Sequence, residues 1–211
     1  MRQVTGSNPS PSANRMSIQL TLSGHSFSRS DLPRLSSRDE RTVEIEVMTD
    51  RVMLAPMEIF DENRAKELLA ISGIEVQNDE RIVIARDQKA GLVAIMALPR
   101  TLLATVEERY GRRAEFTTPL LRTRLCTEPT AWLFLADELI YIKVWSGGKL
   151  RMAEVLPRKK TDDVLYYATV IDKRFTLNGF KVVVTGTEAV ENDVRETSKL
   201  LSKFYKKVVC E

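Results

Sequence analysis

The predicted order of strands and helices in the second half of the chain constrains its fold more than any other sequence feature. From residue 131 to the end, apolar periodicity and turn residues predict strand, strand, strand, helix, strand, helix, strand. The turns at Asp137-Glu138 and Ser146-Gly147-Gly148 are short, so they predict that the first three strands form an antiparallel meander. Residues 17–125 predict a rougher version of the same order. We therefore expect an α/β protein of two duplicated βββαβαβ lobes with mixed sheets.

The chain of 211 residues divides into three predicted segments. Residues 1–15 are polar, with the run Asn8-Pro9-Ser10-Pro11-Ser12, and hold too little apolar surface to offset the entropy of ordering them. They are predicted to be a disordered N-terminal tail. Residues 16–126 are predicted to form the N-terminal lobe, and residues 127–211 the C-terminal lobe.

The rare residue types exclude several classes of protein. His25 is the only histidine, which excludes an HExxH protease and a histidine-rich metal site. A nucleophile activated by histidine would have to use His25, and no recognisable motif surrounds it. Cys126 and Cys210 are the only cysteines and lie far apart, so no disulfide framework is expected. No apolar run approaches the roughly 18 to 20 residues of a membrane span, and we expect a cytoplasmic protein.

Three short segments carry a resemblance to a known family. They are Met16–Ser28 (MSIQLTLSGHSFS), Leu54–Asp61 (LAPMEIFD) and Val184–Glu188 (VTGTE), the last of which precedes a predicted helix. On these residues the chain resembles the DUF3822 family of bacterial proteins, found mainly in the Bacteroidota, over residues 16–211. The resemblance implies an actin-like ATPase (ribonuclease H-like) fold, which two βββαβαβ units in series also resemble. It implies no activity, because none is assigned to the family.

The resemblance also indicates where a nucleotide would bind. Actin-like ATPases hold phosphates and Mg²⁺ at one hairpin turn in each lobe, where an acid positions the metal and a glycine admits the backbone, and a third glycine-rich turn accepts adenosine. The first turn has Ser23 and Gly24 but no acid, and the second has Asp137 but no glycine. The third has Gly186 and is followed by Glu188, whose charge repels phosphate. Glycine and aspartate are also the residues that ordinary turns require, so these four are candidate nucleotide-binding residues only.

Each of the three turns has only some of the residues that a nucleotide site needs. The sequence therefore favours a non-catalytic protein that contacts another protein or a second copy of itself. No catalytic residue, metal ligand or cofactor is expected. The alternative is a divergent protein that binds Mg-ATP in the interlobe cleft through Ser23, Gly24, Asp137 and Gly186. A nucleic-acid partner is not favoured, since the net charge is only +3 and the basic pairs are dispersed. Trp132 and Trp145 are predicted to serve packing rather than ligand stacking, one of them in the core and the other at the edge of an interface.

Overall fold

The computed structural model describes residues 15–22, 32, 41–122 and 127–211. Ser23, Gly24, His25 and Cys126 lie outside the described residues, as does the predicted tail up to residue 14. None of the helices in the described ranges has both the length and the apolar content that crossing a membrane would require. The division of the chain into lobes at residue 126 stays a prediction.

The second half of the chain forms one five-stranded mixed sheet covered by two helices. Its elements are β7 (Thr130–Leu135), β8 (Leu139–Ser146), β9 (Lys149–Pro157), α3 (Thr161–Phe175), β10 (Lys181–Gly186), α4 (Glu191–Leu201) and β11 (Val208–Cys210). The strands lie in the order β11-β10-β7-β8-β9. β7, β8 and β9 are the antiparallel meander, whereas β10 runs parallel to both β7 and β11. The predicted order of elements is confirmed throughout this half.

The described strands of the first half form two three-stranded sheets. Its elements are β1 (Arg15–Thr21), β2 (Thr42–Met48), β3 (Val52–Pro56), α1 (Ala65–Ile71), β4 (Glu80–Asp87), β5 (Leu92–Pro99), α2 (Arg100–Tyr110) and β6 (Ala114–Thr117). One sheet is all parallel, in the order β1-β2-β6, and the other is all antiparallel, in the order β3-β5-β4. An extra strand lies between the two helices because β4 turns back into β5. In that turn, the Asp87 carboxylate accepts the amides of Lys89 and Ala90, and Gly91 has a φ of +64°.

The central strand β7 is buried on both faces, which explains why its residues 131–135 are an unbroken apolar run. Trp132 and Phe134 face the first half and join its core. Leu133 and Leu135 face the opposite way and join a second core, formed with α3 and α4. One face of the five-stranded sheet therefore packs on the first half of the chain, and the other packs on its own helices.

A third, smaller core lies under α1. Leu69 of α1 is fully buried against Val93 and Ile95 of β5. The helix directly follows the 3-10 turn Glu62–Arg64, at whose start the Asp61 carboxylate accepts a hydrogen bond from the Asn63 amide at 2.9 Å. It ends before Gly73, whose φ of +81° only glycine adopts readily.

Candidate functional site

Two of the four candidate residues, Asp137 and Gly186, line one pocket between the two halves of the chain. The pocket has a volume of about 820 Å³. One wall is the polar side of β1, with Ser17, Gln19 and Thr21, whose side chains alternate with the buried apolar residues of that strand. The opposite wall runs from Asp137 to the segment Gly186–Ala189. The structure thus brings the second and third predicted turns together, and Ser23 and Gly24 lie outside the described residues.

Asp137 lies at the tip of the β7–β8 hairpin, and the buried guanidinium of Arg158 determines the shape of that turn. One nitrogen of Arg158, Nη2, donates to the carbonyls of Ala136 and Asp137 at 2.9 and 2.8 Å. The other, Nη1, donates to the Asp193 carboxylate of α4 at 2.7 Å. Only 3% of Arg158 is exposed. The turn is therefore stabilised from inside the protein, because the carbonyls of Ala136 and Asp137 both accept hydrogen bonds from the Arg158 guanidinium.

Gly186 is required by packing at the end of β10. A Cβ atom on this residue would lie 2.7 Å from the Leu135 carbonyl oxygen and 2.8 Å from Cγ2 of Val194. The next amide, that of Thr187, donates to the same Leu135 carbonyl at 3.0 Å. This glycine lets β10 approach β7 and α4 closely, and the amide beyond it is already hydrogen-bonded. Neither feature depends on a bound phosphate.

The charges that face the pocket are negative. Asp137 and Glu188 are both exposed and both line it, whereas the described lining residues include no lysine, arginine or histidine. Glu188 also lies in the turn that leads into α4, where Glu191 adds another carboxylate. Such a site repels the phosphates of a nucleotide, because anion sites at helix starts need uncompensated N–H groups or cations. The described lining residues therefore offer a nucleotide carboxylates suited to Mg²⁺ but no cationic side chain for its phosphates.

An ion pair between a buried carboxylate and a partly exposed arginine lies beside the pocket and was not predicted from the sequence. Glu46 of β2 is 4% exposed and accepts both arms of the Arg122 guanidinium at 2.5 Å, together with the Gln19 amide at 3.0 Å. Arg122 also stacks over the Phe134 ring, 4.4 Å from its centroid. The positive charge of Arg122 is thus matched by Glu46. No cluster of three or more histidine, cysteine or acidic side chains that could hold a metal occurs in the described ranges.

The two tryptophans pack around a buried lysine. The ammonium of Lys143 lies 4.8 Å from the Trp132 ring and 5.1 Å from the Trp145 ring. It donates to the carbonyls of Leu120 and Arg122 at 2.9 and 2.5 Å. The packing role predicted for Trp132 is confirmed, since this side chain is 2% exposed within the shared core.

Comparison with known proteins identifies the fold and a family. A family model described as "Protein of unknown function (DUF3822)" matches residues 30–208. No curated protein sequence matches the chain. A solved structure from Bacteroides thetaiotaomicron VPI-5482, described as a protein with an actin-like ATPase fold and unknown function, is similar with a TM-score of 0.70 and 17% identity. That match covers 98% of this chain and 94% of the other. The predicted actin-like ATPase fold is confirmed.

A second solved structure is the cytoplasmic domain of EpsL, an inner membrane component of the type II secretion system of Vibrio cholerae. Its TM-score is 0.45 and its identity 10%, over 90% of this chain and 96% of that chain.

Proposed function

The chain belongs to the DUF3822 family, and from that premise we propose that it is a non-catalytic cytoplasmic protein that acts through contacts with proteins. A single observation carries this proposal. The pocket that Asp137 and Gly186 line, where the sequence predicted a nucleotide, also contains Glu188 and has no cationic side chain among its described lining residues. In a site of this charge, a polyphosphate loses the favourable interactions on which nucleotide binding depends.

The local structure supports the same conclusion. Two of the features that suggested a nucleotide turn lie within the described residues, and the contacts at both are explained by the folded chain itself. Gly186 avoids a clash with the Leu135 carbonyl, and the Asp137 turn is held by Arg158. A fold that keeps its scaffold while its phosphate turns are incomplete can still present surfaces to a partner.

A thermal unfolding scan with and without millimolar Mg-ATP tests the proposal. We expect no change in Tm, and the same result for Asp137→Ala. A ligand present at about a hundred times its Kd would add about 2.7 kcal/mol to the free energy of unfolding. For a chain of this length, that corresponds to a rise of roughly 5 to 10 °C. A rise of this size that disappears in Asp137→Ala would overturn the proposal.

The second candidate function is divergent ATP binding, and one observation favours it. Asp137 and Gly186 do line the same pocket, and its volume of about 820 Å³ lies within the range of small-molecule sites. On this alternative, Glu188→Gln would strengthen the Mg-ATP effect on Tm, because it removes a negative charge from the pocket. On the leading proposal, Glu188→Gln leaves the scan with Mg-ATP unchanged.

A further inference from the structure

The outer side of α3 carries an apolar surface at its centre. The helix packs on the sheet through Val164, Ala168 and Ile171, which are buried. On the opposite side, Tyr166 is 65% exposed and Val170 is 48% exposed. These two residues are one helical turn apart, so their side chains lie next to each other. Exposed tyrosine beside an aliphatic residue is a composition typical of protein interfaces.

Opposite charges lie at the two ends of the same helix surface. Asp162 lies one turn before Tyr166, and Lys173 lies two turns after it, so both share its side of the helix. All three side chains are exposed. Asp162 forms an exposed ion pair with Lys160, with 3.7 Å between the ammonium nitrogen and the carboxylate oxygen. The carboxylate of the adjacent Asp163 accepts hydrogen bonds from the backbone amides of Lys159 and Lys160 at 2.8 and 3.0 Å. Asp163 therefore caps the start of α3 and is not counted as part of this surface.

We propose that this α3 surface, formed by Asp162, Tyr166, Val170 and Lys173, binds the same surface of a second copy of the chain. If two α3 helices pack antiparallel about a twofold axis near residue 168, Tyr166 of each copy meets Val170 of the other. The same arrangement places Asp162 of each copy near Lys173 of the other, so the surface is complementary to itself. The inference specifies a partner for the proposed contact function and rests on it.

The central tyrosine is held in place before association. Tyr167 donates from its hydroxyl to the Pro157 carbonyl at 2.7 Å, which fixes its ring against β9. The Tyr166 ring packs edge-on against the Tyr167 ring, with centroids 5.6 Å apart. A side chain that is already ordered loses less entropy on binding.

The contact between two single helices is nevertheless small, and we expect a reversible dimer with a Kd of roughly 1 to 100 µM.

Analytical ultracentrifugation of the full chain over a range from about 1 to about 500 µM, which brackets the expected Kd, tests the inference. The expected result is a monomer–dimer equilibrium that is lost in Tyr166→Ala. Phe204→Ala is the matched control, because Phe204 is also an exposed aromatic at 53% but lies outside the α3 surface. It should leave the Kd unchanged. A wild-type chain that stays monomeric throughout this range overturns the inference.

A charge exchange identifies the surface independently of any effect on folding. Asp162→Lys and Lys173→Glu should each weaken self-association by roughly tenfold or more, since each places like charges together at both symmetry-related contacts. An equimolar mixture of these two variants should associate again, because Lys at 162 then meets Glu at 173, and the native Lys173 meets the native Asp162. The inference is overturned if either single variant dimerises with the wild-type Kd. It is also overturned if the equimolar mixture associates no more tightly than the single variants. Mg-ATP scans on dilute protein test the non-catalytic function separately, so the two failures are distinguishable.

Discussion

The hydroxyl of Tyr141, in the second half of the chain, donates a 3.1 Å hydrogen bond to the carbonyl of Thr49, in the first half. Tyr141 is fully buried, and Thr49 is 2% exposed. The ring of Tyr141 also packs edge-on against Phe134, with centroids 6.0 Å apart. This polar contact therefore lies inside the apolar core that the two halves share, and it sets the position of one half against the other.

Tyr141→Phe should lower the free energy of unfolding by about 1 to 3 kcal/mol, because the substitution leaves the buried Thr49 carbonyl without this donor. Urea unfolding at neutral pH measures the loss. Tyr167→Phe is the matched control. Its hydroxyl also donates to a backbone carbonyl, that of Pro157, but Tyr167 is only partly buried and water reaches the lost hydrogen bond. A loss in Tyr141→Phe no larger than that in the control would contradict this account of the contact.

Stability should also fall at high pH, in part because of Tyr141. Burial raises the pKa of this phenol above its usual value of about 10. Below pH 10 the phenol is neutral in both the folded and unfolded states, and its contribution is fully present. As the pH rises above 10, only the unfolded state ionises, so stability is lost. Burial likewise raises the pKa of Tyr110, Tyr167 and Tyr205, and we therefore expect Tyr141→Phe to reduce the loss between pH 8 and pH 11 without abolishing it.

Arg158→Met should destabilise the protein by on the order of 3 kcal/mol, because it removes one partner from a buried network of charge-assisted hydrogen bonds. The carbonyls of Ala136 and Asp137 would lose their donor, and Asp193 would lose its cation. Arg151→Met is the control: Arg151 lies in β9, seven positions earlier, and is exposed. Thermal and urea unfolding compare the two variants. Equal losses would show that the Arg158 contacts contribute no more than an exposed arginine does.

Gly186→Ala should lower the free energy of unfolding by about 1 to 3 kcal/mol through overpacking, since the added methyl group would approach the Leu135 carbonyl oxygen to 2.7 Å. Gly179→Ala is the matched control, because no atom lies within 4 Å of a Cβ built there. The prediction fails if both variants unfold at the same urea concentration. A selective loss in Gly186→Ala supports a packing role for this glycine.

The order of elements in the second half was predictable because each of its signals is local. β7 is apolar from Ala131 onward, Asp137-Glu138 and Gly147-Gly148 mark the β7–β8 and β8–β9 hairpins, and α3 shows a 3.6-residue apolar period. The first half was less predictable. Its strand propensities were clear, and the short turn from Asp87 to Gly91 is a local signal for the β4–β5 hairpin, but nothing local specifies that β5 also pairs with β3 whereas β2 pairs with β1 and β6. Pairing between distant strands is determined by the packing of whole sheets, which no short window of sequence contains.

Some features of the candidate site could likewise be predicted from the sequence, and others could not. The residue types at the turns, and hence the lack of a complete phosphate-binding motif, can be read from the amino-acid chain alone. Folding brings Asp137 and Gly186 into one pocket, places Arg158 against the Asp137 turn, and pairs Arg122 with Glu46 across 76 positions. The physical reason is that turn and helix propensities act between neighbours in sequence. Burial and ion pairing, by contrast, act between neighbours in space, and these depend on how the two halves pack around their shared core.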